Sequence, residues 1–168
     1  MRKYLFYFFL CIAISLHNKF KGSTARTKFF SDYLALLPFE DNLLSDFIIK
    51  VKLGMDLEGR NKSSWTDTNG AEIKSLKLTS YKLCKLWHYH AGPFTGLGSF
   101  TSKNVRMTNL SGQTSAAVVH YKWYDSAQTK LVIIAFSPVH KPFPGANDVG
   151  NPLSLRSGLL LSKDLMPA

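Results

Sequence analysis

Cysteine is nearly missing from this chain. Only Cys11 and Cys84 occur, which excludes a disulfide framework and a cysteine-built zinc site. Cys84 reads as a small buried strand residue, the usual state of a free thiol. Acidic residues are scarce as well: 11 Asp and Glu stand against 21 Lys and Arg, for a formal charge of +10. That imbalance favours a phosphate-rich partner such as RNA, DNA or an anionic membrane, without choosing among them. The glycine-rich stretch "GPFTGLG" lacks the GK[ST] ending and following helix of a phosphate-binding loop. No serine-hydrolase elbow, dinucleotide fingerprint, EF-hand, internal repeat or low-complexity block is present. The most apolar run, residues 4–16, is too short to span a bilayer comfortably.

What is present fits a globular protein. The 168 residues suit one domain with a real core, and 45% hydrophobic with 13% aromatic content argues against disorder. Residues 1–22 form a hydrophobic N-terminal extension, and residues 23–168 read as a single α+β domain. The extension has the basic start and apolar run of a secretory signal, with Ala13 and Ser15 as a small-x-small cleavage pattern. It is read either as a signal or anchor, or as a misassigned start ahead of a cytoplasmic domain. Losing it removes Arg2, Lys3, Lys19 and Lys21 and leaves the rest basic.

Along the chain, "RTKFF" suits a short first strand. Leu43, Leu44, Phe47, Ile48 and Val51 recur at helical spacing, so a helix is expected from about Phe39 to Leu53, stopped by Gly54. Asn69-Gly70 marks a turn. The stretch "IKSLKLTSYKLCKLWHYH" predicts a strand whose alternating end sets Cys84, Leu86, His88 and His90 on one face, with Lys85, Trp87 and Tyr89 on the other. Residues 91–114 read as a long loop. "SAAVVHYKWYD" and "KLVIIAFSP" follow as strands, the second apolar enough for the interior of a sheet. A short helix is expected around Leu153–Leu161. The expected fold is one or two N-terminal helices on a small curved antiparallel sheet of three to four strands.

Histidines carry the chemical signal. His88 and His90 share a strand face, and His140 in "SPVHKPF" can complete either a three-histidine metal site or a metal-free acid–base site. RNA brings its own nucleophile, the ribose 2′-oxygen, so its cleavage requires a base, an acid and cations around the phosphate. His88, His90, Tyr121 and His140 are the catalytic candidates. Lys82, Lys85, Arg106, Lys122 and Lys141 are the cations available to phosphate. Trp87, Tyr89 and Trp123 suit base stacking, but more often such strand aromatics are core.

From about Thr24 to Asn147 these pieces, in this order, resemble the YafO-type toxins, ribosome-dependent mRNA interferases of the RelE/ParE-like class. "RTKFF" stands at the opening strand, "LLSDFIIKVKLG" resembles the helix ending in a basic residue and glycine, and "EGRNKS" is similar to a GRD segment. "LWHYH" matches the strand with the HxH pattern, "QTSAAVVHY" the strand ending in tyrosine, and "LVIIAFSPVHKPFPGAND" the last strand with Pro-x-His. The resemblance implies the RelE/ParE-like α+β fold and cleavage of mRNA on translating ribosomes, without metal or cofactor and under a cognate antitoxin. It carries over to Arg60 for substrate binding and to His88, His90, Tyr121 and His140. A ribosome-directed toxin works in the cytoplasm. The rival reading is an exported or membrane-attached basic binding protein, touching the membrane through residues 4–16. Two departures stand out: Asn61 replaces the acidic residue of the GRD segment, and residues 1–22 have no counterpart.

Overall fold

The computed structural model describes residues 13–16, 36–75, 78–83, 85–96, 101–102, 104–123 and 125–140. The strand expected at "RTKFF", Cys11, Cys84, Lys141 and the helix expected around 153–161 lie outside these residues. Five strands form one sheet: β1 (Ala13–Leu16), β2 (Asn61–Ser63), β3 (Trp87–Phe94), β4 (Ser115–Trp123) and β5 (Lys130–Ser137). Their order is β1-β5-β4-β3-β2. The β2 to β5 strands pair antiparallel, as the α+β reading expects. The β1 strand, drawn from the hydrophobic run, lies parallel to β5 with Ala13 opposite Lys130. This makes β5 an interior strand, in keeping with its apolar sequence.

The helix α1 (Pro38–Leu53) forms where its periodicity places it. Pro38 suits the first turn, whose N–H groups have no intrahelical partner. Leu37 has no capping oxygen, and the Glu40 side chain supplies one by accepting the Leu37 N–H at 2.8 Å. Glu40 and Asp41 at the start and Lys50 and Lys52 at the end complement the helix dipole. Gly54, at φ 64°, ends the helix in the left-handed conformation, and Met55 N–H closes onto Lys50 O at 2.8 Å.

Leu44, Phe47 and Val51 point from α1 into the core. Phe47 stacks on Tyr89 at 4.9 Å between centroids and lies 6.0 Å from Tyr121. Burying Phe47 contributes about 2 kcal/mol. The sheet face toward α1 is therefore aromatic: Tyr89 is buried, and Trp87 and Trp123 pack on the same cluster. These rings belong to the core, leaving the opposite face to the histidines.

Two local expectations change. The strand expected through "IKSLKLTSYKLCKLWHYH" begins only at Trp87, because Thr79–Leu83 forms a single helical turn, α2. Fully buried Tyr81 anchors that turn, its carbonyl accepting Leu86 N–H at 3.0 Å. Its leucine and lysine side chains are good helix formers, and among the described residues the segment pairs with no strand. The loop at 91–114 is partly structured: β3 continues to Phe94, and bridges join Leu57 to Ser102 and Asn61 to Asn109. These bridges lace the loop onto the approach to β2.

Candidate functional site

Alternation along β3 turns His88 and His90 away from α1, while Trp87 and Tyr89 turn toward it. Pairing with β4 sets His120 directly opposite His88. His140, just past β5, is held by its own backbone, N–H to Ala116 O at 2.5 Å. Four histidines thus gather on one face. Ring centroids are 5.7 Å apart for His88–His90, 4.8 Å for His90–His140, 5.6 Å for His88–His140 and 6.4 Å for His88–His120.

A cavity of about 640 Å³ opens over this cluster, lined among others by His88, His90, His140, Arg60, Lys62 and Ser64. Two rings are oriented through Nδ1. His88 Nδ1 lies 3.1 Å from Ser64 Oγ. His90 Nδ1 lies 3.0 Å from Ser115 O and 2.9 Å from Ser115 N. As an N–H it donates to the carbonyl, and as a lone pair it accepts from the amide. His90 can therefore change tautomer or charge without losing its partner.

Burial is the first cause holding every ring of the cluster below the ordinary histidine pKa. His88 is held well below it, with Lys62 adding to the effect, and His90 is lowered to about 4, with His140 next in importance. His120 falls to about 3, and His140 is lowered further by Lys62 and Arg60. Lys62 is itself lowered by burial and by Arg60. At neutral pH the cluster is a set of neutral imidazoles beside two cations, suited to accept a proton, hold a metal or face an anion.

This arrangement has a consequence for stability. His120 and His88 are neutral in the fold and protonated in the unfolded chain once pH falls below about 6.5. The unfolded state then binds more protons, so stability is full above pH 6.5 and declines as pH drops toward about 3. The expected loss at pH 5 relative to pH 7.5 is about 2 kcal/mol from His120, and His88, lowered by the same burial, adds in the same direction. Urea denaturation at the two pH values measures it, and equal stability would mean that the rings are charged or hydrated in the fold.

The structure does not bring Tyr121 to the histidines. Adjacent to His120 in β4, it points to the opposite face and is fully buried among the α1-facing aromatics. Its hydroxyl donates to Asn61 Oδ1 at 2.7 Å, and burial raises its pKa far above the ordinary phenol. Tyr121 is thereby a core residue whose polar end is satisfied by Asn61. Arg60 does reach the cavity. Lys82 pairs with Glu72 at 2.6 Å beside a neighbouring groove. Lys85 is exposed in the turn before β3 at φ 50°, and Arg106 Nε donates to Gln128 O at 3.0 Å. Lys122 sits in β4 opposite Val132, and neither it nor Arg106 is among the cavity-lining residues.

His120, Lys62, Ser64 and Ser115 were missed by sequence reasoning. His120 becomes visible only when the register of β4 on β3 is known. Lys62 stands in "EGRNKS", where Arg60 alone is a candidate from the sequence, although it pairs directly with His88 across β2 and β3.

Asn61 explains itself in this setting. Buried at 1% exposure, it donates from Nδ2 to Val105 O and Met107 O, each at 2.9 Å, while accepting from Tyr121. A carboxylate there would face two carbonyl oxygens. Asn61→Asp is expected to cost about 3 kcal/mol, since two buried acceptors lose their donor. Thermal unfolding reads this, and a variant as stable as the parent would mean that both carbonyls find other donors.

No family model, curated protein or solved structure matches the chain. Among the described residues, no helix is long and apolar enough to cross a membrane.

Proposed function

We propose that the chain is the toxin of a toxin–antitoxin pair, a RelE/ParE-like endoribonuclease that cuts mRNA on translating ribosomes. The observation that carries this reading is the convergence of His88, His90 and His140 with Arg60 and Lys62 around one cavity. Metal-independent cleavage needs that set: a neutral base, a proton donor and cations for the phosphate.

In the reaction, the neutral His90 ring takes the proton of the ribose 2′-hydroxyl. The 2′-oxygen attacks the adjacent phosphorus, the bond to the 5′-oxygen breaks, and that oxygen receives a proton. A phosphate seated between Arg60 and Lys62 offsets the positive charge that helps depress the His140 pKa. Its entry raises that pKa and equips His140 as the donor. The product carries a cyclic phosphate, or a 3′-phosphate after hydrolysis. The reading places the protein in the cytoplasm with mRNA, the ribosome and an antitoxin as partners.

Inducible expression of the full chain in a bacterium, with primer extension on a translated reporter, tests it. Growth arrest with discrete cuts in translated regions is the expected result. Intact mRNA in cells holding soluble, folded protein would overturn it, as would recovery of a processed form outside the cytoplasm.

A further inference from the structure

We propose that His88, His90 and His140 also form a site for a zinc-class divalent metal, and that its occupancy switches the ribonuclease off. The switching half rests on the ribonuclease reading; the site does not. One ring nitrogen from each of the three residues lies within 4.8 Å of the others. Nitrogens bound tetrahedrally to zinc at about 2.0–2.1 Å are about 3.3 Å apart, so small side-chain rotations close the site.

A second feature points the same way. Metal-bound histidine characteristically donates its other ring N–H to a carbonyl, carboxylate or hydroxyl, which fixes the tautomer. His90 Nδ1 has Ser115 O at 3.0 Å and His88 Nδ1 has Ser64 Oγ at 3.1 Å. With Nδ1 used in this way, each Nε2 presents its lone pair to a metal.

The donor set selects the ion. Three imidazoles without a carboxylate or thiolate favour zinc, cobalt, nickel or copper over magnesium or calcium. Three protein ligands leave a fourth position toward the cavity, the pattern of an open rather than a closed zinc site. Arg60 and Lys62 line that cavity and oppose a bare dication, but they favour an anion in the fourth position, which offsets the metal charge. Occupancy takes the imidazole lone pairs that proton transfer requires, so the metal-bound form cannot run the acid–base reaction.

Cobalt titration of the full-length, metal-stripped chain tests the site. The expected result is the strong visible absorption of four-coordinate cobalt, saturating at one equivalent and displaced by zinc. His140→Ala should abolish that spectrum, and Ser64→Ala should weaken zinc binding ~10–100-fold, the usual effect of losing an outer-shell partner. Thermal unfolding in chelator establishes that both variants are folded. No band in folded parent protein, or a band that survives His140→Ala, overturns the site.

Cleavage of a translated mRNA in a reconstituted, ribosome-containing translation reaction, with and without one equivalent of zinc, tests the switch. Suppression by zinc and recovery on chelation is expected. Cleavage indifferent to zinc while the cobalt band is present overturns the switch, and cleavage that requires metal overturns both the switch and the metal-independent mechanism. A cobalt band in a protein that cuts no RNA under either condition overturns the ribonuclease reading and the switch while supporting the site.

Discussion

Gly59→Ala is expected to be the most damaging single-methyl change in the described residues, costing about 3–5 kcal/mol or preventing soluble expression. A Cβ at Gly59 would lie 1.9 Å from the His90 carbonyl oxygen and 2.8 Å from the Tyr89 ring. The first obstacle is backbone, which cannot swing aside as a side chain would. Three bonds concentrate at this point: Gly59 N–H to the Tyr89 hydroxyl at 3.2 Å, Arg60 N–H to Gln113 O at 2.7 Å, and His90 N–H to Arg60 O at 2.9 Å. Moving the 59–60 segment away from β3 breaks them together and carries Arg60 away from the histidines. Gly96, whose added Cβ meets nothing within 4 Å, supplies the comparison. Gly96→Ala should stay within about 0.5 kcal/mol of the parent. Urea midpoints for the two variants decide it, and equal midpoints would mean that the close approach at Gly59 is absent in solution.

On the proposed ribonuclease reading, His140→Ala should lower mRNA cleavage about 10²–10⁴-fold, the usual contribution of a positioned acid or base. It is a cleaner test than His90→Ala. His90 is 3% exposed and its Nδ1 lies within hydrogen-bond distance of both Ser115 O and Ser115 N, so its removal leaves a buried Ser115 backbone group without that partner at about 1–3 kcal/mol. His140 is only half-buried and is positioned through its backbone N–H to Ala116 O, a bond the alanine variant keeps. The expected outcome is therefore loss of growth arrest and of primer-extension stops at nearly unchanged melting temperature. Full toxicity from His140→Ala would remove that residue from the reaction and with it the proton-donor assignment.

The difference between these residues and Tyr121 shows where the sequence was legible. The HxH pattern reads directly, because alternate residues of a strand share a face whatever the strand packs against. Tyr121 and His120 are neighbours, and their sequence gives no indication of which one faces the histidines. That choice follows from the pairing of Trp87 with Tyr121 and His88 with His120, which puts the tyrosine under α1 and the imidazole beside His88. The long strand expected before Trp87 failed for a related reason. Apolar and lysine residues alternating through "SLKLTSYKLCKL" satisfy a strand pattern, but local hydrogen bonding around Tyr81 prevails where none of the described strands pairs with it.

By itself, the sequence determined the α1 helix from periodicity, Pro38 and Gly54, the strands that became β4 and β5, the basic surface, and the shared face of His88 and His90. Local covalent and steric preferences suffice for these, since each acts within a few residues. Tertiary structure decided what meets across the sheet. It brought His140 to the pair, added His120 and Lys62, sent Tyr121 to Asn61, and left Lys82 with Glu72. It also set Ala13–Leu16 beside β5. Contacts between distant segments depend on register and on which face of the sheet the helix covers, and both are fixed only when the core closes.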